Sequence, residues 1–275
     1  MRKNRNRAVC LFAVMCMILL LGLFLPAGRA YARNYAKKKY NKNRWTLIKK
    51  DFLKKDTDRL ILVKYKKGSK ATLEMWKKVY VETVPETTSA EPAASEKTVA
   101  ETPDGSTAET TAAETEIVRQ PSWKKILSCT AYVGRNGIKK KREGDKKTPV
   151  GAFHITMAFG IKKSPGTAGI SYTKLNKYYY WSGERDTYNT FVDVRDLGRS
   201  SVAGEHLISY KPFYNYSLAM DFNKKGVFKK GSAIFLHCTK PGRKYTAGCI
   251  AVAEKKMKKI VKNTTEKTMI FIYPK

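Results

Sequence analysis

The residues best placed to do chemistry are a histidine and a cysteine twelve positions apart, His237 and Cys249. An imidazole can take the proton of a thiol, and the resulting thiolate attacks acyl carbons. A free thiol titrates near ~8.5, so it needs such a base, or a nearby positive charge, to be largely ionised at neutral pH. His237 lies in the strand-like run Ser232-Ala233-Ile234-Phe235-Leu236-His237-Cys238, and Cys249 ends the turn Thr246-Ala247-Gly248-Cys249. Strand alternation puts Ile234, Leu236 and Cys238 on one face and Ala233, Phe235 and His237 on the other, so His237 points away from Cys238. The loop between them is long enough to return Cys249 to the sheet edge beside His237. Gly248 permits close backbone approach, and amides around Gly248 and Cys249 could receive an oxyanion. Thr246 either hydrogen-bonds near His237 or serves only the turn. A His and a Cys at this spacing are, alone, a weak signal.

The other reactive side chains are fewer. The chain has three histidines. His154 follows Phe153 in strand alternation and reads as structural, whereas His206, in Gly204-Glu205-His206-Leu207, reads either as a residue of the substrate groove or as a satisfied core histidine. Tyr245, beside the Cys249 turn, is a second groove candidate. A metallohydrolase built on His206, His237 and Cys249 lacks any short-range ligand pair of the HxH or HExxH kind, so neither a metal nor another cofactor is expected. Cys10 and Cys16 fall in the apolar N-terminal run, which leaves Cys129, Cys238 and Cys249 and hence at least one free thiol.

Short strands with a few helices must carry these groups. Strand-like runs recur at 126–133, 151–158, 190–194, 216–222, 232–238 and 268–273, and residues 59–65 and 71–79 form a hairpin around Lys67-Gly68-Ser69-Lys70. Residues 253–262 have a helical period with Met257, Ile260 and Val261 inward. Residues 197–210 are expected to hold a second short helix. Trp45, Leu47, Ile48, Phe52 and Leu53 fit one face of a third, a basic juxtamembrane helix that is either solvated or attached to anionic polymer or lipid. The aromatic run Tyr178-Tyr179-Tyr180-Trp181 suits core or loop packing better than stacking on sugars.

Composition divides the chain. With 55 Lys or Arg against 23 Asp or Glu in 275 residues, the net charge of +32 sets it apart from charge-balanced cytosolic enzymes and calls for an anionic partner. Nine of the acids lie in residues 82–116 with a single Lys, so the remainder carries about +40. Residues 82–121 repeat Glu, Thr, Ala, Ser and Pro and cannot bury enough apolar surface to order themselves. At the N-terminus, Arg2, Lys3, Arg5 and Arg7 precede an apolar run at 8–25, followed by Pro26 and small residues. Residues 1–32 are therefore expected to be a signal peptide or membrane anchor, with 33–55 a basic flank carrying ten Lys or Arg against one Asp. Export would place that charge outside the membrane, and no nucleic-acid motif is present.

Two stretches resemble one known family. Thr246-Ala247-Gly248-Cys249 after His237, and Lys147-Thr148-Pro149-Val150-Gly151-Ala152-Phe153 upstream, are similar to the recurring motifs of the L,D-transpeptidase (YkuD-like) family, secreted branch. The likeness covers residues 56–81 and 122–275 and implies a mainly β, sandwich-like catalytic domain over 56–275 with the acidic stretch inserted in it. It implies Cys249 as nucleophile and His237 as base, acting on peptidoglycan stem peptides in cell wall biogenesis and cell shape. The expected reaction is formation of 3→3 cross-links through a Cys249 thioester. Water as acceptor would make the protein an L,D-carboxypeptidase, and loss of catalysis would leave a wall-binding module. The sequence departs from the family where Cys238 follows the motif histidine in place of Gly, where Ala247 precedes Gly248, and at Ala251, a position often filled by Arg or Asn. Thr148, Pro149 and Gly151 are read as turn and strand residues.

Overall fold

The computed structural model describes residues 44–83 and 118–274; the expected export segment and most of the acidic stretch lie outside the described residues. The chain opens with helix α1 (Arg44–Leu53), followed by strands β1 (Arg59–Lys67), β2 (Lys70–Thr83), β3 (Val118–Tyr132) and β4 (Gly151–Gly160). Short strands β5 (Tyr172–Lys174), β6 (Tyr179–Ser182), β7 (Phe191–Asp193) and β8 (Gly204–His206) come next. The last third supplies β9 (Ser217–Met220), β10 (Phe235–Cys238), β11 (Ile250–Val252), helix α2 (Glu254–Lys262) and β12 (Thr268–Pro274). The mainly β expectation holds.

Nine strands form one sheet in the order β12-β1-β2-β3-β11-β10-β9-β4-β5, and β4 also pairs with β12. That extra pairing closes the sheet on itself, so the two layers of the expected sandwich are one continuous, mixed surface. Closure removes most of the edges at which a strand would offer unpaired backbone groups. β1 and β12 run parallel, Arg59 opposite Thr268. Both are buried on both faces, which is why their sequences run aliphatic without alternation. Ile61, Val63, Ile270 and Ile272 face the interior with Met257, Ile260 and Val261 of α2, while Leu60, Leu62, Phe271 and Tyr273 face the opposite way, toward Ile48 and Phe52 of α1.

This placement corrects the expectation for the described part of the basic flank, residues 44–55; residues 33–43 lie outside the described residues. Ile48 and Phe52 are fully buried, and the Phe52 ring meets Phe271 edge-on at 6.0 Å. α1 is therefore part of the folded body, with Lys49 above the Trp76 ring at 4.1 Å and Trp123 Nε1 donating to Lys49 O at 2.8 Å. Burial of two large apolar side chains, each worth about 2 kcal/mol, outweighs the partial desolvation of Lys49, while Lys50 stays exposed.

Three further boundaries moved. The hairpin β2–β3 runs beyond the point where composition turns acidic, pairing Glu82 with Arg119 and Thr83 with Val118, so residues at both ends of the presumed insertion are strand. Residues 197–210 do not form an α-helix: they contain β8 and one 3₁₀ turn (Leu207–Ser209). Gly204 stops any helix, having φ +129°, and a Cβ there would sit 2.2 Å from Trp181 O. Finally, β10 begins at Phe235, because Ala233 takes a left-handed φ of +51°.

Candidate active site

β10 and β11 are parallel neighbours, with Leu236 opposite Ile250 and His237 opposite Ala251. In a parallel pair opposed residues share a face. The residue just before β11, Cys249, thereby comes beside Phe235, on the face from which His237 projects. Cys238, Leu236 and Ile234 pack into the interior on the other side. The predicted alternation of β10 is what the structure has.

Four bonds hold the cysteine. Phe235 N–H donates to Cys249 Sγ at 3.3 Å, and the thiol donates to Ala233 O at 3.1 Å. The Cys249 carbonyl accepts from Thr246 Oγ1 at 2.7 Å and from Thr148 Oγ1 at 3.2 Å. Thr246 also receives the Gly248 N–H at 3.0 Å, so that amide is committed to the turn. Gly248 has φ +155°, and a Cβ there would lie 3.1 Å from both Ile234 Cδ1 and Lys147 O. A side chain at 248 would push the Cys249 turn off the sheet.

His237 is 7% exposed and Cys249 8%. The imidazole Nδ1 lies 2.7 Å from Cys238 O, and a carbonyl only accepts, so Nδ1 carries the proton and Nε2 is the free base. The ring is walled by the edges of Tyr214 at 5.5 Å and Phe213 at 6.1 Å. Burial lowers the imidazole to about 4, against the pull of the Cys238 carbonyl. Burial raises the Cys249 thiol to about 12; the Glu205 carboxylate adds to this, and Phe235 N–H and the Lys140 ammonium oppose it. At neutral pH the resting pair is thus neutral imidazole and neutral thiol.

The match with the L,D-transpeptidase catalytic domain model spans residues 111–272. The chain belongs to that family. No curated protein matches it. Membership makes the protein one of the L,D-transpeptidase acyltransferases and implies peptidoglycan as substrate.

Of the residues singled out in the L,D-transpeptidase sequence, the structure gathers Cys249, His237, Gly248 and Thr246. The groove candidates fare differently. His206 is tied up in its own three-stranded sheet, with Nε2 2.8 Å from Lys177 O, Nδ1 3.0 Å from Ser209 Oγ, and the ring stacked on Tyr180 at 4.5 Å. Both ring nitrogens are thus engaged, on a half-buried side chain that lies outside the core. Tyr245 carries the guanidinium groups of Arg135 and Arg243 over its ring, at 4.0 and 4.2 Å. His154 lies 3.1 Å from Asp221 on the surface. The aromatic run packs, Trp181 meeting Phe235 at 4.7 Å and Tyr179 meeting Phe191 at 4.9 Å. Among the described residues no three His, Cys, Asp or Glu side chains gather as a metal site would need.

Sequence reasoning missed four contributors. Thr148 reads as a turn residue, yet its hydroxyl reaches across 101 positions to Cys249 O. Asn189 receives Trp181 Nε1–H at 2.9 Å and Ala233 N–H at 3.1 Å, which steadies the strained Ala233 whose carbonyl holds the thiol. Lys140, paired with Asp145 at 2.9 Å, lies under Gly248, 3.7 Å from where a Cβ would be. Glu205 immediately precedes the groove candidate His206. The Glu-His pair was a visible signal, but β-alternation alone could not say which of two neighbours faced the thiol.

Proposed function

We propose that this chain forms 3→3 cross-links in peptidoglycan, with Cys249 as nucleophile and His237 as its base. The observation that supports this best is the shared face of β10 and β11, which carries an imidazole with Nε2 unprotonated and a thiol fixed by Ala233 and Phe235. In the reaction, His237 Nε2 takes the thiol proton as sulfur attacks the carbonyl of the third residue of a donor stem peptide. The C–N bond to the terminal D-amino acid breaks, and the imidazolium returns the proton to the leaving amine. A thioester on Cys249 remains, and a side-chain amine of a second stem resolves it to an amide. Burial makes ion formation costly before substrate arrives, which confines the chemistry to the occupied site.

Water in place of the amine is the second reading and would give an L,D-carboxypeptidase. The proposed location is extracytoplasmic, at the wall or outer membrane face, where the basic surface meets anionic polymers. Intact-mass measurement of the protein incubated with tetrapeptide muropeptides tests the assignment. A thioester adduct that is absent in Cys249→Ala supports it; turnover by Cys249→Ala overturns it.

A further inference from the structure

Glu205 has no place in the mechanism above, and its position is costly. It is half-buried on β8, where it pairs with Trp181 of β6, and Trp181 packs on Phe235 beside the thiol. Its Oε2 accepts from Tyr214 Oη at 2.5 Å, and the Tyr214 ring in turn walls His237. Its charge bears on Cys249 and on Tyr210. A carboxylate here works against formation of a thiolate.

The second oddity is the missing counter-ion. Lys and Arg outnumber acids 55 to 23 in this chain, and Glu74, Glu82, Glu184 and Glu254 each find one as a partner; of the described glutamates without one, Glu143 and Glu266 are exposed and Glu205 is not. Among the described residues no Lys, Arg or His pairs with Glu205, and Oε1 has no hydrogen-bond donor. An acid beside a nucleophile, in a basic protein and without a base of its own, is fitted for a cation that comes and goes.

We infer that Glu205 binds the ammonium of the acceptor, the primary amine that resolves the thioester, and takes its proton; this rests on Cys249 being the acyl carrier. The protonated amine enters as R–NH₃⁺ against the carboxylate and gives one proton to it. The free amine attacks the thioester carbonyl, a C–N bond forms, and the C–S bond breaks. The second nitrogen proton passes by way of His237 to sulfur, which restores the thiol. Glu205, now neutral, loses its proton to solvent. Burial, against the Tyr214 hydroxyl bond, raises this carboxyl to about 7, which suits a group that must both hold and release a proton near neutrality.

The test is Glu205→Gln, which keeps an acceptor for Tyr214 and the side-chain volume. Wild type and variant are incubated with a tetrapeptide muropeptide donor, with and without a tripeptide stem carrying a side-chain amine. Thioester formation, hydrolysis and amine transfer are followed separately by mass spectrometry. The expected result is acylation within threefold of wild type, and at least a tenfold shift of the thioester from amine transfer toward hydrolysis, partly recovered in Glu205→Asp. Transfer and hydrolysis changed in equal proportion, or an unchanged partition, overturns the role of Glu205 while leaving Cys249 in place. A wild type that forms no thioester overturns the acyl-carrier reading and this inference with it. A melting curve on each variant separates loss of fold from loss of partition.

Discussion

The Cys249 thiol donates its hydrogen bond to the carbonyl of Ala233, 3.1 Å away, and not to His237. Ala233 can offer that carbonyl only because it takes φ +51°, a conformation that costs about 1 kcal/mol for a residue with a Cβ. Ionisation breaks this bond and leaves sulfur facing a carbonyl oxygen, so the resting thiol resists ionisation. Free Cys249 should therefore alkylate slowly at neutral pH, with a titration midpoint raised toward about 12. Cys249→Ala should abolish turnover, whereas Cys129→Ala and Cys238→Ala should stay within tenfold, or about 1.4 kcal/mol of barrier. Rapid alkylation with a midpoint near that of a free thiol would show that the Ala233 bond does not restrain sulfur.

Thr148 and Thr246 share the Cys249 carbonyl, and Thr148 also receives Gly134 N–H at 2.8 Å. Thr148→Val removes both bonds from a site that is fully buried. Such a loss costs about 1–3 kcal/mol of stability. Because it frees the turn that carries the thiol, kcat should fall at least tenfold with little change in KM. Thr148→Ser should restore most of it. A Thr148→Val enzyme that melts lower yet turns over normally would reduce the Lys-Thr-Pro motif to a folding element.

The Lys140–Asp145 pair is nearly sealed from water, with side chains 4% and 11% exposed. Burial pushes the Asp145 carboxyl up, but backbone N–H groups of Lys141, Lys147 and Arg142 and the Lys140 ammonium override it and bring it down to about 2. A carboxyl depressed on folding stabilises the protein above its unfolded value near ~3.9, and that contribution disappears as pH falls through about 2; its size is about 2 kcal/mol. Wild type should lose this between pH 4 and 2, and Asp145→Asn should lack it at pH 7, so their melting temperatures should converge on acidification. Lys140→Met should move Cys249 alkylation to higher pH, since the ammonium favours the thiolate. Parallel melting curves for the two proteins across that range would remove Asp145 from the account.

What sequence could reveal here was whatever lies along one strand or helix. Alternation placed Ile234, Leu236 and Cys238 inward, and a 3.6-residue period placed Met257, Ile260 and Val261 under α2. Two motifs point to Cys249 and His237. What escaped arrives from elsewhere in the chain or depends on a backbone angle. Thr148 comes from 101 residues away, Asn189 from 44, and Ala233 contributes through its φ, to which side-chain type is blind. The closure of the sheet by β4 on β12 is invisible for the same reason. The position of α1 is hidden because its lysine-rich composition masks the spacing of Ile48 and Phe52, the two side chains that seat it on the body.

That correction changes how the basic flank is to be tested. Removing all of residues 33–55 would strip Ile48 and Phe52 from the body and expose Leu60, Leu62 and Phe271 beneath them. Phe52→Ala alone should cost about 3–5 kcal/mol. The clean experiment deletes 33–43, which holds five Lys or Arg and stops short of α1. The melting temperature should then be unchanged, as should turnover of a small soluble muropeptide. Retention on purified cell walls should fall, because surface charges act additively and each contact is weak. Retention of the full chain should also drop steeply from roughly 50 to 300 mM salt, as the Debye length shrinks below the spacing of charge and polymer. Wall binding indifferent to salt, or unaffected by the deletion, would move recognition from the basic surface to the cleft around Cys249.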